Sequence, residues 1–380
     1  MFRTRFIILL TIGVCLNAYA FAEGKYAVGT CLPKLPSYST ISQAVSNVPP
    51  GSIVEVCPGN YPEQVLITQP LTLEGVSAAG SDAVVVVPPG GLTQYAVDIT
   101  NNDDYYQILA QNTTGVNITN LVVDGTGATV PPPNQPPLTF IVGIYYQSAG
   151  GSVTNSSIRN QASYSLGIGI RADGTGSPPT LTIENSVFRG QDDEGIIVLS
   201  AFSPVFNPTI KANTVESGEY AIVLISSGGT VEYNTLTNGL NLRSTAATVS
   251  HNIIFPDSTA IVATNDGSTI TANTLVGEGE ASGLVPLVNL QGGSTIFKGN
   301  KLDASGQLGV QMGGTNSILV QSNTIVNSSI AVNGCSGESQ GATVIGNTIT
   351  DAGIGLSMPS GNTAAPNTFH ATAMALQPCD

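Results

Sequence analysis

The sequence is short of charge. Of its 380 residues only 9% are Asp, Glu, Lys or Arg, with 11 basic against 25 acidic; soluble domains carry about 25%. Helical bundles and coiled coils need Glu, Lys and Arg on their wet faces, so that class is excluded. A formal net charge of −14 excludes nucleic acid as a partner, because too few cations exist to neutralise a run of phosphates. Trp is absent and His occurs only at His251 and His370, neither with a Ser, Cys or second His at catalytic spacing. There is no CxxC and no Cys/His cluster, which removes a zinc site. Four Met are too few soft ligands for a copper carrier. Disorder conflicts with 41% hydrophobic residues. What is there, in quantity, is Gly, Asn, Thr and Val, the composition of a large all-β protein.

The first 22 residues read as a signal peptide. Arg3 and Arg5 form a basic start, Phe6 to Leu16 a short apolar run, and Ala18-Tyr19-Ala20 and Ala20-Phe21-Ala22 two cleavage sites of small residues. The apolar run is too short to span a bilayer, so no membrane span is expected and the mature chain is periplasmic or extracellular. Export permits disulfides. Two of the four remaining cysteines lie near each end, which pairs Cys31 with Cys57 and Cys335 with Cys379. Three connectivities are open to four cysteines, and free buried thiols are the other reading.

A repeat runs through most of the chain. An apolar residue, two or three further residues, Asn, a small residue and another apolar residue recur around Asn155, Asn185, Asn213, Asn234, Asn252, Asn273, Asn300, Asn323, Asn347 and Asn367. Eight steps cover the 182 residues from Asn185 to Asn367, a mean near 23. Each is followed by a short apolar strand such as Gly195-Ile196-Ile197-Val198 or Ala221-Ile222-Val223-Leu224. Short strands without helical spacing, recurring in one direction, predict a parallel solenoid of about ten coils stacked about 4.8 Å apart. The Asn fits an internal ladder that satisfies polar groups inside the stack. Ile41, Ala44, Val45 and Val48 follow helical spacing with Ser39 or Thr40 as N-cap, predicting a short helix over the first coil within an N-terminal cap at 23–60. Residues 101–138 break the period and are expected to be an irregular insertion with a Pro-rich loop; 355–380 are expected to cap the other end.

One stretch is more specific. Ser39-Thr40-Ile41-Ser42-Gln43-Ala44-Val45, then Cys57-Pro58-Gly59-Asn60-Tyr61-Pro62-Glu63, then Leu71-Thr72-Leu73-Glu74-Gly75 resembles the opening of the pectin-lyase-like right-handed parallel β-helix proteins: polygalacturonases, pectate lyases and pectin methylesterases. The resemblance implies a single right-handed β-helix domain over 23–380. It says little about activity, since one fold hosts many functions.

The densest charge is Gln191-Asp192-Asp193-Glu194-Gly195, in the turn before a strand. Asp192-Asp193 resembles the Asp-Asp that polygalacturonases carry in such a turn. Their further Asp and their Gly-His-Gly are replaced by Gln161-Ala162-Ser163-Tyr164 and Gly218-Glu219-Tyr220. Glycoside hydrolysis needs one protonated and one ionised carboxyl, and crowding raises one pKa, so Asp192, Asp193 and Glu219 are the candidate catalytic residues. Arg171, Arg189, Lys211 and Arg243 are candidate substrate-binding cations, with Tyr164 and Tyr220 as sugar platforms; Tyr145 and Tyr146 lie on nearby coils. No motif demands a cofactor; a lyase reading would bring in Ca²⁺ held by carboxylates. The functional expectation is therefore a secreted β-helix that binds, and in one reading cleaves, polysaccharide near Asp192 and Asp193. The other reading is a non-catalytic extracellular scaffold or adhesin. Oligomeric state is left open.

Overall fold

The computed structural model describes residues 24–77, 81–131, 139–162, 166–174, 180–200, 206–279 and 285–379. The segment read as a signal peptide, Tyr164 and the prolines between 132 and 137 lie outside them. The described strands form two sheets, of fifteen and twenty-five strands. Each coil gives one strand to the smaller sheet and then, past a turn, two to the larger one. Leu181–Glu184, Val187–Gln191 and Glu194–Ser200 make one such coil. The corresponding strands of successive coils pair in parallel, as Ile170 with Ile196 and Ile196 with Ile222. Alternation explains the interior: Ile183, Phe188, Ile196 and Val198 are fully buried and join one continuous apolar core.

The ladder is built at the turn between the two sheets. Asn234 Oδ1 accepts from the backbone N and the Nδ2 of Asn213, at 2.9 and 3.0 Å, and Nδ2 of Asn213 also donates to Ile183 O at 2.9 Å. The same pattern repeats at Asn234, Asn252, Asn273, Asn300, Asn323 and Asn347, ending on Asn367. Asn155 and Asn185 are not rungs. Both hold positive φ, 50° and 53°, one residue earlier, and the rungs there are Ser156 and Ser186. Asn is tolerated in that left-handed conformation for a different reason, its local side-chain hydrogen bonding.

The helix spans Ile41–Asn47, with Thr40 as its N-cap and Ile41, Ala44 and Val45 buried. Glu63, from the next coil, adds a second cap: its carboxylate accepts from the backbone N of Ile41 and Ser42, both at 2.8 Å. Disulfides join Cys31 to Cys57 and Cys335 to Cys379.

The expected irregular insertion is corrected. Asp103–Gln111, Val116–Thr119 and Val122–Asp124 form a coil in register with its neighbours. The charged and Asn-rich start at 101–104 hides the strand, because Asp104 faces outward into a buried ion cluster. The C-terminal end is likewise coil: Ile354–Pro359 pairs in parallel with Met374–Cys379. The stack is also longer than the repeat Asn indicate, since strands Lys25–Val28, Ser52–Val56, Leu71–Gly75 and Val116–Thr119 precede the first of them.

Candidate functional site

The turn at Asp192-Asp193 is fixed by backbone stacking on both sides. Asp193 N donates to Gly167 O (3.2 Å), and Glu219 N donates to Asp193 O (2.9 Å). The contacts are close enough to demand glycine: a Cβ on Gly218 would lie 2.3 Å from Asp192 O. Coil stacking thus sets Glu219 directly beside Asp193. Asp192 ties the turn to the preceding coil, its Oδ1 accepting from Gly167 N at 2.7 Å. It therefore acts first as a brace for its neighbour.

Three carboxyls meet here. The Asp193 side chain, 5% exposed, hydrogen-bonds the carboxyls of both Glu194 and Glu219. Burial, the hydrogen bond that protonated Glu194 donates to Asp193, and the charges of Asp193 and Glu219 push Glu194 up to about 9, against a weaker opposing pull from Arg171. Glu194 Oε2 is buried without a hydrogen-bond partner. Glu219 is also raised, by burial and by Asp193, while Arg243 pulls it down. The arrangement sets one firmly protonated acid, Glu194, apart from the exposed carboxyl of Glu219, with the buried Asp193 between them, and such a division is the requirement for acid–base chemistry. Next to it, on the outer surface of the following coils, opens a cleft of about 300 Å³ lined by Glu219, Tyr220, Asn238, Asp257, Thr259 and Val262. Among the described residues no group of three or more His, Cys, Asp or Glu is arranged to hold a metal ion.

On its N-terminal side the same face is covered. Residues 92–102 cross it as a strap, and Tyr95–Val97 pairs antiparallel with Asp103–Gln111. Ala96 packs on Tyr106, Leu109, Val142 and Ile168. Beneath the strap lies Arg171, 2% exposed, ion-paired with Asp98 of the strap and with Asp104 (3.0 Å) and Asp173 (3.6 Å). Tyr145 donates to Asp173 Oδ2 at 2.7 Å. One positive charge faces three carboxyls. Asp104, whose 3.0 Å contact with Arg171 Nε lacks hydrogen-bond geometry, is pushed up to about 8 by burial despite the attraction of Arg171.

The candidates from sequence separate accordingly. Asp193, Glu219 and Tyr220 converge on the site, with Arg243 at its edge, donating from Nε to Asn241 Oδ1 (3.1 Å). Two assigned cations, Arg171 and Lys211, do not serve as open binding groups at the site. Arg171 is buried among Asp side chains. Arg189 is exposed and pairs with Glu216 (3.3 Å). Lys211 lies on the fifteen-stranded sheet, away from the site, paired with Glu232 (3.3 Å). Tyr145 and Tyr146 are fully buried and offer no sugar platform. Glu194, Asp257 and the aspartates around Arg171 were missed; Glu194 opens a strand, but only the coil register sets it against Tyr220.

Residues 142–286 match the family model described as a right handed beta helix region. The chain folds as a right-handed parallel β-helix. Among solved structures, the β-helix resembles a family 28 exopolygalacturonase from Yersinia enterocolitica, at 11% identity and a TM-score of 0.51 over 89% of this chain and 74% of that one. It also resembles a GH136 lacto-N-biosidase from Eubacterium ramulus, at 12% identity and a TM-score of 0.53 over 91% and 68%. At such identity the likeness establishes the fold. No curated protein matches the β-helix by sequence.

Proposed function

We propose that the protein is an exported β-helix that binds and hydrolyses a polysaccharide, with Glu194 as general acid and Asp193 with Glu219 as the base pair. The observation that carries this reading is the three-carboxyl contact, which reaches an open cleft through Glu219 and has one member held protonated to about 9. The shared fold of an exopolygalacturonase and a lacto-N-biosidase makes a glycan groove a natural use of this surface. Export is supported by the signal-like start and by the two disulfides. No helix of the described residues is long and apolar enough to cross a membrane.

In this reading a glycan lies in the cleft with one ring against Tyr220. Glu194 gives its proton to the glycosidic oxygen as the bond to the anomeric carbon breaks. Water attacks that carbon and yields its proton to the Asp193–Glu219 pair, which releases it to solvent as Glu194 is reprotonated from solvent. Arg243, which pulls Glu219 towards its ionised form, favours the base role. Asp192 takes no part in the chemistry beyond holding the turn.

The test is a panel of polysaccharides, with and without Ca²⁺, on wild type, Glu194→Gln and Asp193→Asn. We expect Ca²⁺-independent cleavage that Glu194→Gln lowers by about 10²- to 10⁴-fold, the usual worth of a general acid. Cleavage should also decline as pH rises through the titration of Glu194. Binding without cleavage in wild type, unaffected by both substitutions, would replace this reading with the non-catalytic scaffold or adhesin.

A further inference from the structure

The outer face of the site continues past the cleft, and its composition changes there. Under the strap the outward positions are apolar or locked in the ion cluster. Beyond the acid cluster the strand register carries one outward column from Val223 to Asn241, Val262, Asn289, Gln311 and Asn333. Four of these six are amides. They alternate with core residues: Leu242, Leu290 and Met312 on the same strands are fully buried, so the amides face away from the interior. Asn289 and Gln311 are half-buried on this surface, and Gln291 Nε2 donates to Asn289 Oδ1 at 2.6 Å, holding the amide in place.

We infer that the polysaccharide is a neutral, hydroxyl-rich glycan lying along the coil axis, with its units following this amide track away from the acid cluster; the inference rests on the polysaccharide reading above. Two observations carry it. First, Asn289 and Gln311, the two half-buried amides of the column, are paired on neighbouring coils about 4.8 Å apart, a step close to the length of one pyranose unit, and can meet sugar hydroxyls as donor or acceptor, whereas Asn241 and Asn333, 1% and 5% exposed, bond within the chain. Second, the charge is wrong for a polyuronate. Glu219 and Asp257 line the cleft, Asp193 stands behind Glu219, and the cation that acts on Glu219 is Arg243. Arg171, the other cation on this face, is already outnumbered by its own aspartates. A carboxylated chain would meet net repulsion, whereas hydroxyls need only hydrogen-bond partners.

The experiment measures binding of neutral β-linked glucan, galactan and mannan oligosaccharides, from the disaccharide to the hexasaccharide, beside oligogalacturonates, at low and high salt. The neutral series should gain affinity with length and show little salt dependence. Asn289→Ala/Gln311→Ala should weaken hexasaccharide binding about tenfold, the worth of about two ordinary hydrogen bonds, and leave disaccharide binding unchanged at an unchanged melting temperature. Oligogalacturonate binding as tight as the best neutral ligand would overturn the inference while leaving the polysaccharide reading intact. So would length-independent affinity, measurable on wild type alone if the double variant folds poorly. If no oligosaccharide of either kind bound or was cleaved, the polysaccharide reading itself would fall.

Discussion

A single amide decides more in this fold than any single charge. Asn273 is 1% exposed, yet its Oδ1 accepts from both the backbone N and the Nδ2 of Asn252, and its Nδ2 donates to Val249 O, Thr271 O and Asn300 Oδ1. Leu has a similar size, but it supplies no acceptor to Asn252 and no donor to those carbonyls. Substituting Asn273→Leu should therefore cost about 2–4 kcal/mol, from several buried polar groups left unpaired at once. Urea unfolding of the variant checks this; a midpoint equal to wild type would mean the ladder is decoration. The ladder Asn were legible in sequence because the same local pattern of apolar, Asn and small residues recurs around each, although the step from rung to rung varies from 18 to 27 residues. The site residue that matters most, Glu194, was not. Its environment comes from Glu219 and Arg171, on the coils after and before it, and sequence distance says nothing about which side chains stack.

At the scale of elements, regular coils could be read and the strap could not. A strand announces itself by alternation, and the helix at Ile41–Asn47 by its cap and apolar spacing. The strap has neither, because it is held by individual contacts: Asp98 on Arg171, 73 residues away, and Gln147 Nε2 on Val97 O at 2.7 Å, 50 residues away. Such contacts carry no period. They do make the strap a distinct unit whose anchoring can be tested. Arg171→Met would remove the counter-charge from the buried cluster of Asp98, Asp104 and Asp173, and we expect a loss of about 3–5 kcal/mol, together with faster hydrogen exchange at Tyr95–Val97. Arg189→Ala should stay within about 0.5 kcal/mol of wild type, because the Arg189–Glu216 pair is solvent-exposed. Equal effects of the two substitutions would show that burial at Arg171 is not what holds the strap.

For the whole molecule, buried acids set how stability follows pH. Asp104 is raised to about 8 and Glu194 to about 9, from ordinary values near 4. Below the unfolded pKa both states hold these protons and the contribution is fully present. Above it the unfolded chain releases them and the folded chain does not, so stability falls as pH rises, until the folded groups also ionise near 8 and 9. The slope is at most about 1.4 kcal/mol per pH unit for each group. Asp124, lowered by hydrogen bonds from Thr126 and Asn160 and by Arg159, works in the opposite sense but only in the acid range below that window. The melting temperature should therefore be highest in mildly acidic buffer and decline steadily towards pH 9, unlike a protein whose carboxylates are mostly ion-paired. Asp104→Asn keeps the shape and removes the proton, so it should flatten the curve and melt above wild type on the alkaline side. Glu194→Gln should do the same independently, since the two acids belong to different clusters. A wild-type profile that rises towards neutral pH, or an Asp104→Asn variant that tracks wild type throughout, would show that Arg171 keeps all three of its aspartates ionised.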